Sequence, residues 1–122
     1  YLNVSLLDSC KVPIGLEDGR IPDGNLRASS MYDHKHGPDR GRVNLPSGNG
    51  RVGAWRARFN NRKQWLQVDT GGVSRITGCA TQGRHDADQW VTSYVITHSV
   101  DERRFIAYRQ YGKMRVREID GK

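Results

Sequence analysis

The chain has 122 residues, a length typical of one domain, and 35% of them are hydrophobic. Lysine and arginine total 20 against 13 acidic residues, which gives a formal net charge of +7. No run is long and apolar enough to span a membrane, and the two cysteines have no metal-ligand spacing. The charge excess favours polyanionic partners such as nucleic acid, acidic lipid or sulfated glycan, and it is equally compatible with a surface that is merely basic.

The N-terminal stretch Tyr1–Leu7 lacks the basic start and the long apolar centre of a signal peptide. It contains Asn3-Val4-Ser5, an acceptor pattern for N-glycosylation that has meaning only in a secreted protein. Asn3 is therefore a candidate glycosylation site. Glycines and prolines then break any regular element between residues 10 and 24.

Short strand-like segments alternate with turn signals along the rest of the chain. They are Leu26–Ser30, Arg42–Leu45, Gln64–Asp69, Arg75–Gly83, Trp90–His98, Phe105–Tyr108 and the alternating edge strand Met114–Ile119. The polar loop Met31–Gly41 and the turn cluster Pro46–Gly50, with its tight-turn dipeptide Asn49-Gly50, separate the first of them. No segment shows helical periodicity. This pattern predicts an antiparallel β-sandwich or barrel whose end loops carry the function.

The predicted centre of the core is the segment from Gln64 to His98. Two β-type runs around the turn Thr70-Gly71-Gly72 predict a hairpin or neighbouring strands of one sheet, and a β-branched third run follows. Large aromatic side chains dominate β cores. Those expected in the core are Trp55, Trp65, Trp90, Tyr94 and Tyr108, and Cys79 is expected to be a small buried hydrophobe.

The order of several motifs resembles the discoidin family, whose modules are also called coagulation factor V/VIII type C domains. The motifs are Cys10, Pro13–Asp23, Ala28-Ser29-Ser30, Gly41–Asn44, Ala54-Trp55, Gln64–Asp69, Thr77–Arg84, Asp88–Tyr94 and Ala107-Tyr108-Arg109. Each motif is short, but together and in this order they are highly specific. The resemblance places a discoidin domain at residues 10–122, with residues 1–9 as an N-terminal flank.

The resemblance implies an extracellular galactose-binding-like β-sandwich of the jelly-roll type that binds ligands through loops at one end. Ligands across the family include anionic phospholipid, glycans, collagen and other cell-surface proteins, and the domain is not catalytic. Three departures from the family pattern stand out. The terminal cysteine that usually pairs with Cys10 is absent together with the last strands, Cys79 replaces an aliphatic residue, and Thr70 follows Asp69 where leucine is usual.

Three loops are candidates for the binding face. The first carries Tyr32, His34, Lys35 and His36, the second Asn49 and Arg51, and the third Arg84, His85 and Asp86. Tyr32 can dip its ring into an interface, but its polar neighbours argue against deep insertion into hydrocarbon. Arg84 suits a bidentate contact with a carboxylate or sulfate, or else a surface pair with Asp86 or Asp88. The alternative for the first loop is a purely solvated role.

No cofactor is expected, and calcium is the one ion that the first loop suggests. Asp33 and Asp39 supply the hard oxygen ligands that calcium prefers. His34 and His36 could ligate a metal together with Asp33 or Asp39, although a solvated role fits this pair better.

The sequence thus predicts a non-catalytic adhesion or recognition module, secreted or part of an ectodomain, that binds a cell-surface glycan, anionic phospholipid or matrix protein. The alternatives are a carbohydrate-binding module of a larger secreted enzyme and a basic domain that binds polyanions or nucleic acid. Nucleic acid is not expected because the chain has no recognition-helix pattern, zinc spacing or aromatic RNA motif. Catalysis is not expected because Asp86 and Asp88 lie in one loop without an evident general acid.

Overall fold

A computed structural model describes residues 2–8, 12–84, 88–110, 113–114 and 116–118 of the chain. Within these ranges the strands are β1 (Asn3–Leu7), β2 (Leu26–Ala28), β3 (Leu66–Val68), β4 (Gly78–Gln82), β5 (Ser93–Val95), β6 (Thr97–His98), β7 (Ile106–Ala107), β8 (Arg109–Gln110), β9 (Lys113–Met114) and β10 (Val116–Glu118). Three one-turn 3-10 helices span Asp23–Asn25, His34–His36 and Pro38–Arg40. The predicted all-β class is confirmed.

Two antiparallel strand pairs surround the core. β1 pairs with β4 from Asn3 opposite Gln82 to Leu7 opposite Gly78, and β2 pairs with β3. The buried cluster between them consists of Val4, Leu16, Ile21 and Leu26, against which Leu2, Leu6, Ile14, Leu66, Val68 and Cys79 pack. Removing these apolar side chains from water supplies the main driving force for this half of the fold. Cys79 packs against the cluster as expected, but it is half-buried and not fully buried as predicted.

The N-terminal segment that the sequence assigned to a flank contributes a strand to the core. Asn3, Val4 and Ser5 are all buried in β1, and Val4 belongs to the central cluster. Isolated bridges extend these contacts, from Leu2 to Trp55 and from Val4 to Arg42. Strand β1 therefore ties β4 to the loop segments that follow β2.

The strands after β4 pair among themselves, and β5 to β7 are more exposed than β1 to β4. β5 pairs with β10, β6 with β7, and β8 with β9, all antiparallel. Both residues of β6 are exposed, as are Ser93 and Val95 of β5. The prediction that this third run lies in the middle of the core is wrong, because the apolar interior is built on β1 to β4.

Two further strand predictions need correction. β3 and β4 form neither a hairpin nor neighbouring strands, since β3 pairs with β2 and β4 with β1. Residues 42–45 form no strand beyond one bridge at Arg42, because Asn44 adopts a left-handed conformation with φ of 59° that ends extended pairing. The Arg42 side chain is buried instead, where it donates to the Leu16 carbonyl and the Asp23 carboxylate.

The aromatic residues divide between core and surface. Trp55 is 4% exposed and donates from Nε1 to the Ser30 carbonyl, as a core residue should. Trp90 and Tyr94 are half-buried. Trp65 and Tyr108 are 49% and 45% exposed, so their assignment to the core is wrong. Trp65 faces outward because side chains alternate along a strand, and its neighbour Leu66 takes the inward position.

Candidate functional site

The first candidate loop is built around the Asp33 carboxylate. Asp33 Oδ1 accepts hydrogen bonds from the Lys35 backbone N–H at 2.9 Å and from His36 Nδ1 at 2.6 Å, which closes the 3-10 turn His34–His36. The ring nitrogen donates in this pair, because an ionised carboxylate can only accept. His36 is buried, whereas His34 and Lys35 are exposed to solvent. The loop therefore presents His34 and Lys35 and keeps His36 as an internal brace.

This arrangement makes the pH dependence of the first loop predictable. The His36 hydrogen bond, and after it the Lys35 N–H, holds the pKa of Asp33 below its usual 3.8. A lowered folded-state pKa contributes stability above the unfolded-state pKa, and that contribution is lost as the pH falls through the folded-state value. We expect Asp33→Asn to lower stability at neutral pH and to reduce the loss on acidification from about pH 5 to about pH 2.5.

Thermal melts of the wild type and Asp33→Asn across this range measure the effect. Asp18 and Asp101 also have lowered pKa values, but they remain in both proteins and cancel in the comparison. Parallel acid profiles for the two proteins would show that the pair of Asp33 and His36 contributes nothing to the loop.

The second candidate loop is a tight reversal at Asn49-Gly50. Both residues have positive φ, 53° and 72°, and Gly48 and Arg51 exchange two backbone hydrogen bonds across them. This confirms the tight turn predicted from the dipeptide. Asn49 lies exposed at its tip, and Arg51 lies half-buried at its base.

Arg51 connects the first and second candidate loops. Its guanidinium contacts both carboxylate oxygens of Asp39, at 2.8 and 3.0 Å, and also donates to the His34 carbonyl. The Val52 N–H donates to the Lys35 carbonyl, and Arg40 Nε donates to the Val52 carbonyl. Arg51 thus positions the loops, and it is not a solvated cation at a tip.

The same contacts engage the two carboxylates that were suggested as calcium ligands, Asp33 and Asp39. Each carboxylate already accepts from protein donors, His36 and Lys35 in one case and Arg51 in the other. Across the part of the chain that the structure describes, no cluster of three or more histidine, cysteine or acidic side chains could hold a metal ion.

Asn3 connects both loops to strand β4. Its amide Nδ2 donates to the carbonyls of Arg40, Arg42 and Gly53 at 3.1, 2.5 and 2.9 Å, and the residue is 1% exposed. The candidate glycosylation site is therefore wrong for the folded chain, because the nitrogen that would carry the glycan is buried among three carbonyls. In β1, Asn3 lies opposite Gln82, the last residue of β4.

The third candidate loop leaves β4 beside the first two. Gln82 exchanges two hydrogen bonds with Asn44, close to the start of the second loop. Arg84 donates to Gln89 from its backbone N–H at 2.9 Å and from its guanidinium at 3.2 Å. His85 and Asp86 lie outside the described residues, as does Cys10.

A group of mostly exposed aromatic and basic residues includes the start of the first loop. It consists of Met31, Tyr32, Arg56, Arg58, Phe59 and Trp65, hereafter the aromatic–basic patch. The Arg56 guanidinium carbon lies 3.8 Å from the centre of the Tyr32 ring, and the His36 ring packs edge-on to the same tyrosine. Met31, Tyr32, Phe59 and Trp65 are between 45% and 55% exposed.

Hydrogen bonds of residues 29–32 bring Tyr32, Arg56, Arg58 and Trp65 together. The Tyr32 N–H donates to the Arg56 carbonyl, the Arg58 N–H to Ser30 Oγ, and the Trp65 N–H to Ser29 Oγ. Of the patch, the sequence singled out Tyr32 alone as a binding residue. The alternation of arginine with small and aromatic residues in Trp55-Arg56-Ala57-Arg58-Phe59 was the available signal.

Comparison with known proteins decides the family. The model of the F5/8 type C domain matches residues 25–121. The chain belongs to the F5/8 type C, or discoidin, family. Its fold is accordingly the galactose-binding-like β-sandwich. Within the described residues of this discoidin domain, no helix has the length and apolar character needed to cross a membrane.

Relatives of this discoidin domain occur in large proteins. It is 37% identical to rat lactadherin over 118 residues, which cover 90% of this chain and 27% of the relative. It is 40% identical to mouse coagulation factor V and 35% identical to human coagulation factor VIII, with 88% and 90% of this chain covered. The chain spans about a quarter of lactadherin and 5% of each coagulation factor.

Proposed function

We propose that this discoidin domain is a non-catalytic extracellular binding module whose loop end docks onto anionic phospholipid surfaces. The observation that carries the proposal is the aromatic–basic patch, in which the exposed Tyr32 ring is stacked against the Arg56 guanidinium. Half-exposed tyrosine and tryptophan rings suit the boundary between lipid and water, and arginines suit acidic head groups. Membership of the discoidin family supports the more general claim that the chain is a binding module.

The geometry favours shallow docking over deep insertion. The apolar members of the patch, Met31, Phe59 and Trp65, are each only half-exposed, and the loop that carries Met31 also exposes the polar side chains of His34 and Lys35. Inserting those polar groups into hydrocarbon would be costly. Contact at head-group depth keeps them hydrated and still buries part of three apolar side chains.

Vesicle sedimentation tests the proposal. We expect the chain to bind phosphatidylserine-containing vesicles at physiological salt and to bind pure phosphatidylcholine vesicles at least tenfold more weakly. Sulfated glycans and collagen, tested at the same salt, identify the competing ligands. Saturable binding to one of those together with no vesicle binding would reject the lipid assignment and leave the binding-module class standing. If the chain bound every polyanion equally and salt abolished that binding, net charge alone would explain the attraction.

A further inference from the structure

A concave region lies outside the aromatic–basic patch. It is a cleft of about 620 Å³ between one wall formed by β1, residues 74–77 and the start of β4 and another formed by β6 and its neighbours. Its lining residues are Leu6, Ser74, Arg75, Ile76, Thr77, Gly78, Cys79, Ile96, His98 and Tyr108. Its volume falls in the range of small-molecule sites, about 300–1,000 Å³. None of the residues described for the three candidate loops lines it.

The cleft has a largely apolar lining with a few side chains that can donate hydrogen bonds. Leu6, Ile76 and Ile96 supply hydrocarbon, and the aromatic ring of Tyr108 adds to it. The polar side chains that could bind a ligand are the Arg75 guanidinium, the His98 imidazole and the Tyr108 hydroxyl, all on exposed residues. All three can donate hydrogen bonds, one is a permanent cation, and no acidic residue lines the cleft among the residues that the structure describes.

These donors have no partners within the described ranges of the chain. Arg75, His98 and Tyr108 take part in no side-chain hydrogen bond or ion pair there, whereas the exposed Arg20 and the half-buried Arg51 are paired with carboxylates. A cation with two further donors beside an apolar wall complements an anionic head group attached to a hydrocarbon body.

We propose that this cleft binds an amphipathic carboxylate, a long-chain fatty acid being the simplest example. The carboxylate accepts from Arg75 with help from His98 or Tyr108, and the hydrocarbon chain lies along Leu6, Ile76 and Ile96. An extended acidic peptide is the less suitable occupant, because its backbone polar groups would lie against the same apolar lining without partners. The site is independent of the lipid surface proposed for the aromatic–basic patch.

Calorimetry with oleate below its aggregation concentration tests the assignment, with oleyl alcohol as the uncharged probe. We expect one oleate per chain and at least tenfold weaker binding of the alcohol, because it cannot form the charge-assisted hydrogen bonds. Arg75→Gln should weaken oleate binding by about tenfold or more. Amide resonances of Ile76, Cys79 and His98 should shift on titration.

Two matched variants separate this site from other cationic surfaces. Arg103→Gln removes the same charge from an exposed residue outside the cleft, and Arg56→Gln removes it from the aromatic–basic patch. Both should bind oleate as the wild type does. Equal weakening by all three variants, several oleates per chain, or equal affinity for oleyl alcohol would overturn the proposal. So would shifts of the same resonances by an acidic peptide and not by oleate. If Arg56→Gln lost vesicle binding but still bound oleate, the result would support a cleft site that is separate from the aromatic–basic patch.

Discussion

Asn3→Asp is expected to lower the free energy of unfolding by about 3 kcal/mol or more, a large part of the stability of a domain this size. Asn3 uses its side chain as a donor only: Nδ2 bonds to three carbonyls, and Oδ1 has no hydrogen-bond partner within the described residues. The substitution keeps the shape but removes the donor. It leaves a buried charge facing the carbonyls of Arg40, Arg42 and Gly53, which costs both the lost bonds and the desolvation of the carboxylate.

Urea unfolding followed by tryptophan fluorescence measures this effect, and the chain offers a matched control. Asn61 is exposed, and its Oδ1 accepts from the Lys63 N–H and from Gln64, so Asn61→Asp keeps an acceptor where one is needed. We expect that control to shift the urea midpoint only slightly. If the two variants behaved alike, the Asn3 amide would not be the buried link between β1 and the loops.

Local features of this fold could be predicted from sequence because neighbouring residues decide them. The Asn49-Gly50 turn needs only two residues that tolerate positive φ, and both adopt it. The strands β2 and β3 follow from short β-type runs. The outward orientation of Trp65 could also be predicted, because it alternates along the strand with the inward-facing Leu66 and Val68.

Long-range pairing could not be predicted in the same way. Strand β1 pairs with β4 across more than seventy residues, and no pattern in Asn3–Leu7 specifies that partner. An Asn-X-Ser triplet indicates glycosylation when it is considered alone, and only the carbonyls of residues distant in sequence give Asn3 its structural role. Hydrophobic patterns predict which face of a strand is buried, but not which strand lies beside it.

The candidate site shows the same division. The sequence singled out Tyr32, Lys35, Asn49 and Arg84 as candidates by loop position, but it did not single out Arg56, which contacts Tyr32 only through folding. It also assigned Arg51 to ligand binding, whereas the ion pair with Asp39 makes it a brace between loops. Charged residues in loops look alike in sequence, and only their partners distinguish a binding cation from a structural one.

The double variant Arg56→Glu/Arg58→Glu is expected to reduce binding to phosphatidylserine vesicles by at least tenfold. Each basic residue close to an anionic lipid surface contributes about 1 kcal/mol, and reversal turns attraction into repulsion. The Arg56 side chain stacks on the exposed Tyr32, and the Arg58 guanidinium lies 6.0 Å from the Phe59 ring, so the variant changes charge directly at the aromatic members of the patch. Titration with vesicles at physiological salt gives the change in affinity.

Arg103→Glu/Arg104→Glu is the matched control, because it changes the net charge equally in an exposed turn. That turn is held by Asp101, and its Glu102 contacts Arg27 of β2, outside the aromatic–basic patch. If the patch is the docking surface, the control should lose far less affinity than the first variant. Phe59→Ala/Trp65→Ala should then weaken binding by an amount that salt hardly changes, because burial of apolar surface is screened little by ions. If both charge variants lost the same affinity for vesicles and the aromatic variant lost none, the net charge of +7 would explain the attraction instead.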